Sequence, residues 1–145
     1  MTTVTTTEEI RVGPIAVRFL VEAEATGGTA ALFEFDVPPG TPVPPAHSHD
    51  GWEETIYGLR GRLTWTVDGV STAVGPGEVL CIRRGVVHDF ENLGAEVATQ
   101  LAVVTPGLLG PSYFHDLGGL VGGGGPPDPA AILDVMRRHG LMPTG

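Results

Sequence analysis

Four residues have the types and spacing that could do chemistry in this chain: His47, His49, Glu54 and His88. His47 and His49 are two apart. On an extended strand successive side chains alternate between faces, so both imidazoles project the same way, with Cα atoms about 6.5–7 Å apart. That span lets two nitrogens converge on one ion at about 2.0–2.2 Å. Glu54 follows His49 after four residues, at the start of a strand-like run, and can return a carboxylate oxygen beside the imidazoles. His88 comes from a separate run, just after a turn at Arg84-Gly85. Three neutral imidazoles and a carboxylate suit one divalent transition metal ion such as Fe, Mn, Ni, Co, Cu or Zn. Such a set leaves a net positive centre with coordination positions open to water or a small-molecule substrate.

Strands must position these side chains. The run TAALFEFDV alternates, with Leu32, Glu34 and Asp36 on one face and Phe33 and Phe35 on the other, as in a half-buried strand. PPGTPVPPA, residues 38–46, excludes a helix or a central strand and reads as an extended approach to the histidines. Ile10 to Val21 reads as one or two short strands broken at Gly13-Pro14. Beyond Glu53, short apolar runs are separated by turn signals at Arg60-Gly61, Asp68-Gly69, Gly75-Pro76-Gly77, Arg84-Gly85 and Leu93-Gly94. Strands at that spacing predict an all-β sandwich or barrel, and Asp68-Gly69 predicts a hairpin.

The character changes after Pro106. Ser112 to Leu117 predicts one or two helical turns, and Gly118 to Gly125, with six glycines, predicts a flexible or tightly turned segment. Asp128-Pro129 has the form of an N-cap followed by proline at the first helical position. Ala131, Ile132, Val135 and Met136 then share one helical face, with Gly140 placed to end the helix. The expected division is a β-barrel over 1–106 and, over 107–145, a Gly/Pro-rich extension ending in a short C-terminal α-helix that docks on the barrel or on a partner.

Composition narrows the function classes. With 145 residues and 41% hydrophobic content, the chain can bury one core. Its formal net charge is −9, and all eight basic residues are arginine, so a nucleic-acid surface is not expected. No apolar run of about 18 residues predicts a membrane span, and the first residues have no signal-peptide pattern. Cys81, the single cysteine, excludes an internal disulfide and fits a reducing, cytoplasmic setting.

The motif residues carry a resemblance. Gly40, His47, His49, Glu54 and Gly61 resemble the first motif of the cupin superfamily, G(X)5HXH(X)3–4E(X)6G, with six rather than five residues before His47. Glu53 also fits the shorter spacing, but only Glu54 has six residues before Gly61. GEVLCIRRGVVHDFEN resembles the second motif, with Gly77, Gly85, His88 and Asn92 in place and Arg83 where the family has proline. The two motifs span residues 40–92. The resemblance implies a cupin-type jelly-roll β-barrel, a metal held by His47, His49, Glu54 and His88, and commonly a homodimer. Within the superfamily the chain is similar to small single-domain proteins grouped with quercetin dioxygenases. That implies a metal-dependent dioxygenase for a small hydrophobic or aromatic substrate, with Glu54 doubling as proton acceptor. A metal-dependent isomerase or lyase and a non-catalytic small-molecule-binding module are the alternatives.

Further residues share parity or polarity with the site. Ile56 lies on the Glu54 face; Phe90 and Asn92 lie on the His88 face; Gln100 is an amide within an apolar run. These four are the candidate pocket residues; a turn role before Leu93-Gly94 is the alternative for Asn92, and a backbone hydrogen-bond partner is the alternative for Gln100. Gly58 leaves room near the metal or marks close strand packing. Glu53, alternating with Glu54, is expected to face solvent, as are Arg83 and Arg84. His115 and His139 are expected at the surface or a dimer contact, Trp52, Trp65 and Tyr57 in the core or an interface, and Cys81 buried.

Overall fold

The computed structural model describes residue 4 and residues 7–122 and 125–144. Alternating hydrophobicity and frequent turn residues produce eleven strands in two sheets among these residues. The first sheet, in spatial order, contains β1 (Glu9–Val12), β2 (Ile15–Val21), β3 (Ala31–Val37), β10 (Ala98–Thr105), β5 (Glu53–Arg60) and β8 (Val79–Ile82). The second contains β11 (Leu141–Pro143), β4 (His47–His49), β9 (His88–Glu91), β6 (Leu63–Val67) and β7 (Val70–Val74). All pairings are antiparallel among the described residues. The architecture fits a jelly roll. Closure into the expected barrel is not seen among the described residues, where the two sheets do not join through strand pairing. Their edges are short strands, four residues in β1 and β8 and three in β11, and side chains rather than backbone bonds fill the seam.

The core lies between the sheets, and the two-residue period decides which side chains enter it. In β3, Ala31, Phe33, Phe35 and Val37 point inward while Leu32, Glu34 and Asp36 are only half-buried. Phe33 and Phe35 pack against Phe19, Phe114, Trp65 and Phe90 at ring-centroid distances of 5.0–6.4 Å. The hairpin between β6 and β7 turns through Asp68 and Gly69, both at positive φ (51° and 78°), as its two-residue loop requires. Gly58 is there for close packing. A Cβ on it would lie 1.9 Å from the Gly75 carbonyl oxygen, so the strand and the turn touch backbone to backbone.

The C-terminal part departs from its expected form. The first helix, α1 (Pro111–Val121), runs through Gly118 and Gly119, where a flexible or turned segment was expected. Gly123 and Gly124 of that segment lie outside the described residues. Tertiary packing overrides the poor helix propensity of glycine here. A Cβ on Gly118 would lie 2.3 Å from the Arg11 carbonyl oxygen, so only glycine lets α1 lie this close to β1. The second helix, α2 (Pro129–Arg138), starts as expected, with the Asp128 carboxylate accepting from the Ala130 N–H at 3.0 Å, and buries Val135 and Met136. It is not the last element. Gly140, at φ 85°, reverses the chain into β11, which pairs with β4 so that Leu141 faces His49 and Pro143 faces His47. Cys81 is also a correction: it is exposed, because Ile82 takes the inward position on β8. No helix of the described residues is long and apolar enough to cross a membrane.

Alanine ordinarily stabilises a helix relative to glycine by about 1 kcal/mol. At Gly118 the sign should reverse. Gly118→Ala is expected to destabilise the protein by about 1–3 kcal/mol through the forced shift of α1 from β1, read as a lower midpoint in chemical denaturation.

Candidate metal centre

The local sequence brings three histidines together through two short strands. On β4, His47 and His49 both turn inward, with Ser48 between them partly exposed. The antiparallel pairing of β4 with β9 sets His47 directly opposite His88. One ligating atom from each of His47, His49 and His88 lies within 4.8 Å of the others, a grouping that could hold a metal ion. Ring centroids are 4.6 Å apart for His47–His88 and for His49–His88, and 5.0 Å for His47–His49.

Glu54 reaches this group from the opposite sheet. It lies inward on β5, with one carboxylate oxygen 3.7 Å from His49 Nδ1 and 3.9 Å from His88 Nε2. It is not part of the tightest group, which is the three imidazoles alone. No arginine pairs with it among the described residues. Glu53, its neighbour, faces outward and pairs with Arg84.

Backbone carbonyls orient two of the rings. His47 Nδ1 donates to the Pro45 carbonyl at 2.7 Å and His88 Nδ1 donates to the Val86 carbonyl at 3.0 Å. A carbonyl can only accept, so these nitrogens carry the proton and each Nε2 keeps a free lone pair, the tautomer a metal ligand needs. His49 is held by stacking on Trp52, at 4.6 Å and 18° between planes. The Trp52 ring also meets Gly140, where an added Cβ would lie 3.1 Å from it.

Burial sets the charge states. It pushes the His47 pKa down to about 4 and the His49 pKa to about 2, with the neighbouring imidazoles adding to both shifts. Burial lowers His88 too, against the opposing pull of the Val86 carbonyl. All three rings are therefore neutral at physiological pH. Burial alone raises the Glu54 pKa to about 7. A desolvated carboxylate with no arginine partner among the described residues, beside three neutral nitrogen donors, is a donor set that fits a divalent cation.

His47, His49 and Glu54 open onto a cavity of about 70 Å³ with almost entirely carbon walls, including Phe33, Phe35, Phe90, Leu109, Phe114 and Leu141. Of the four expected pocket residues, only Phe90 lines it. Ile56 is fully buried in the core. Gln100 accepts from Trp65 Nε1 at 2.9 Å and donates to the Val74 carbonyl at 2.8 Å, so its amide ties β10 to the second sheet. Asn92 donates to the carbonyls of Val37 and Glu96, both at 2.8 Å, and accepts from the Gly94 N–H at 2.9 Å, which fixes the turn after β9. Sequence reasoning missed the part of the wall made by Leu109, Tyr113, Phe114 and Leu117 around α1 and by Leu141. The spacing of Tyr113 and Leu117, four apart on a helix, was a signal for burial but not for burial in this cavity. His139, on the outer side of Tyr113, bonds Asp116 at 2.8 Å, and His115 is exposed.

Comparison with known proteins places this geometry. Residues 33–104 match the family model described as a cupin domain. Over 72 residues the chain is 33% identical to quercetin 2,3-dioxygenase of Bacillus subtilis, a stretch covering 50% of this chain and 21% of that enzyme. The match thus spans about a fifth of that relative's length. The fold is similar to a protein of Thermotoga maritima described as a predicted oxalate decarboxylase, with a TM-score of 0.63, 28% identity, and coverage of 70% of this chain and 92% of the other. It is also similar to the polyketide cyclase RemF of Streptomyces resistomycificus, with a TM-score of 0.60, 27% identity, and coverage of 72% and 79%. The two facing sheets, the inward HxH strand and the matched segment that contains both motifs agree: the chain belongs to the cupin superfamily.

Proposed function

We propose that this protein is a metal-dependent enzyme, in the first place a dioxygenase, acting on a small aromatic or hydrophobic substrate that chelates a divalent ion held by His47, His49, Glu54 and His88. The donor set carries this reading: three imidazoles kept neutral and a carboxylate buried with no basic side chain beside it among the described residues, with His47, His49 and Glu54 lining an apolar cavity. Each of these groups costs free energy to bury alone, and one divalent ion offsets that cost for all of them. The carbon walls support an aromatic or aliphatic substrate, and the dioxygenase relative supports the reaction type.

A bound ion would supply Lewis acidity and, where redox-active, electron exchange with O2. The chain's own residues do the rest. The carbonyls of Pro45 and Val86 keep the His47 and His88 lone pairs turned inward. Glu54 is placed to accept the proton of a substrate hydroxyl as that oxygen ionises. The phenylalanine and leucine walls exclude bulk water, which strengthens every charge interaction inside.

A second reading has its own support in the similarity to a polyketide cyclase over most of both chains. The same residues would then polarise a carbonyl and move a proton without O2, as in a cyclisation, isomerisation or lyase step. Oxygen uptake during turnover separates the two readings. A purely ligand-binding role would give thermal stabilisation by small aromatic compounds with no turnover.

Metal content tests the central claim. Protein purified from metal-replete cells is expected to carry a stoichiometric divalent ion, and His88→Ala to lose it; wild type without such an ion would sink the proposal. Affinity should follow the proton on Glu54. From about pH 4, where the His47 imidazolium loses its extra proton and keeps the one on Nδ1, to about pH 7, loading displaces the Glu54 proton, so affinity should rise about tenfold per pH unit and then level off.

Substituting Glu54 gives a sign test. Its folded pKa lies above the unfolded value of 4.5, so its favourable contribution is complete below pH 4.5 and lost as pH rises through about 7. At about pH 8, Glu54→Gln should therefore stabilise the metal-free protein by on the order of 1–3 kcal/mol, with little change near pH 5. With metal present the order should invert, the variant melting below wild type. A variant that melts above wild type in both conditions would remove Glu54 from the ligand set.

A further inference from the structure

We infer that Tyr113 is a substrate-contacting residue whose hydroxyl donates a hydrogen bond to an oxygen of the substrate, selecting aromatic ligands that carry a phenolate, enolate or carbonyl oxygen; this rests on the proposed function. Tyr113 stands on the inward face of α1 and is 3% exposed. Its ring lines the same cavity as His47, His49 and Glu54. Its hydroxyl is fully buried and has no hydrogen-bond partner among the described residues. A buried phenol ordinarily finds a partner, because an unmet one costs about 1–3 kcal/mol. Phenylalanine would fill the same space without that cost, as Phe114 does next to it.

The surroundings fix the ring and keep the proton on it. Phe114 meets it edge-on at a centroid distance of 4.9 Å and His139 at 5.5 Å, and the His139 imidazole is itself tied to Asp116 on α1. Burial, with the nearby Glu54 charge adding to it, raises the Tyr113 pKa above its ordinary value, so the hydroxyl is a donor throughout the physiological range. Trp65, another polar group on the wall, has its N–H taken by Gln100. Apart from the three proposed ligands lining the cavity, the other wall residues offer only carbon. A ligand oxygen entering the cavity would give Tyr113 the acceptor that the described residues do not. A substrate lacking that oxygen would leave the hydroxyl unpaired, and sites built around such a donor discriminate strongly against the analogue without the acceptor.

Tyr113→Phe tests this with zinc-loaded protein and 4-nitrocatechol, a chromophoric phenolate probe. The variant is expected to keep the wild-type zinc stoichiometry and, ligand-free, to melt at or above the wild-type temperature. Its affinity for the probe should fall about tenfold, the loss of one hydrogen bond to a charged oxygen. The absorption band of the bound probe should also move, because its phenolate loses a donor. Equal affinity with an unchanged band would overturn the inference, and so would failure of zinc-loaded wild type to bind the probe. A variant melting well below wild type would overturn it too, since the hydroxyl would then have a structural partner. Absence of zinc binding by wild type is a separate failure, of the proposed function itself.

Discussion

Taking a carboxylate out of water with no basic side chain beside it is the constraint on which the described part of this structure turns. Glu54 sits among carbon walls and neutral imidazoles, and its desolvation is the sole cause of its raised pKa. The same walls hold His47, His49 and His88 unprotonated. Hydrophobic packing and donor chemistry are therefore not separate features. A wetter cavity would let the imidazoles take up protons and lose the lone pairs that face the centre. A fully apolar one, with Glu54 replaced, would hold its shape with no charge to neutralise.

The backbone meets this constraint from two directions. The imidazoles come from the second sheet, on β4 and β9, and the carboxylate from the first, on β5. The donors converge only when the sheets face each other at the right distance, which the aromatic layer around Phe33, Phe35, Trp65 and Phe90 maintains. Gln100 adds a polar strut across the same gap, through Trp65 and Val74. β4 is only three residues long and could not hold two rings still by itself. It lies between β9 and β11, and the Trp52 ring that stacks on His49 rests in turn against Gly140.

What the sequence made legible follows from what periodicity can encode. Parity put His47 and His49 on one face and marked β3 as a strand, while the spacing to Gly61 set Glu54 apart from Glu53. The Asp68-Gly69 turn and the Asp128-Pro129 helix start were legible because each is local chemistry between near neighbours. Partners were not legible. Gln100 and Asn92 showed as polar residues needing hydrogen bonds, yet the carbonyls that satisfy them belong to Val74, Val37 and Glu96, and the first two are far away in sequence. Parity also could not say that β8 turns Ile82 rather than Cys81 inward. The glycines of α1 read as a break because propensity is local, whereas the reason for Gly118 is the distant Arg11 carbonyl.

The cavity wall has a divided origin. Its floor of donors and much of its aromatic lining come from residues 33–104, the part shared with the family, while Leu109, Tyr113, Phe114, Leu117 and Leu141 come from beyond it. Family-matched residues and residues outside the match thus meet across one small void. Mutation in the tail can reshape what enters while leaving the four proposed ligands untouched. A common scaffold can in this way diversify its ligands by rewriting only its final third, and relatives that agree strand for strand in the shared part need not agree in diet.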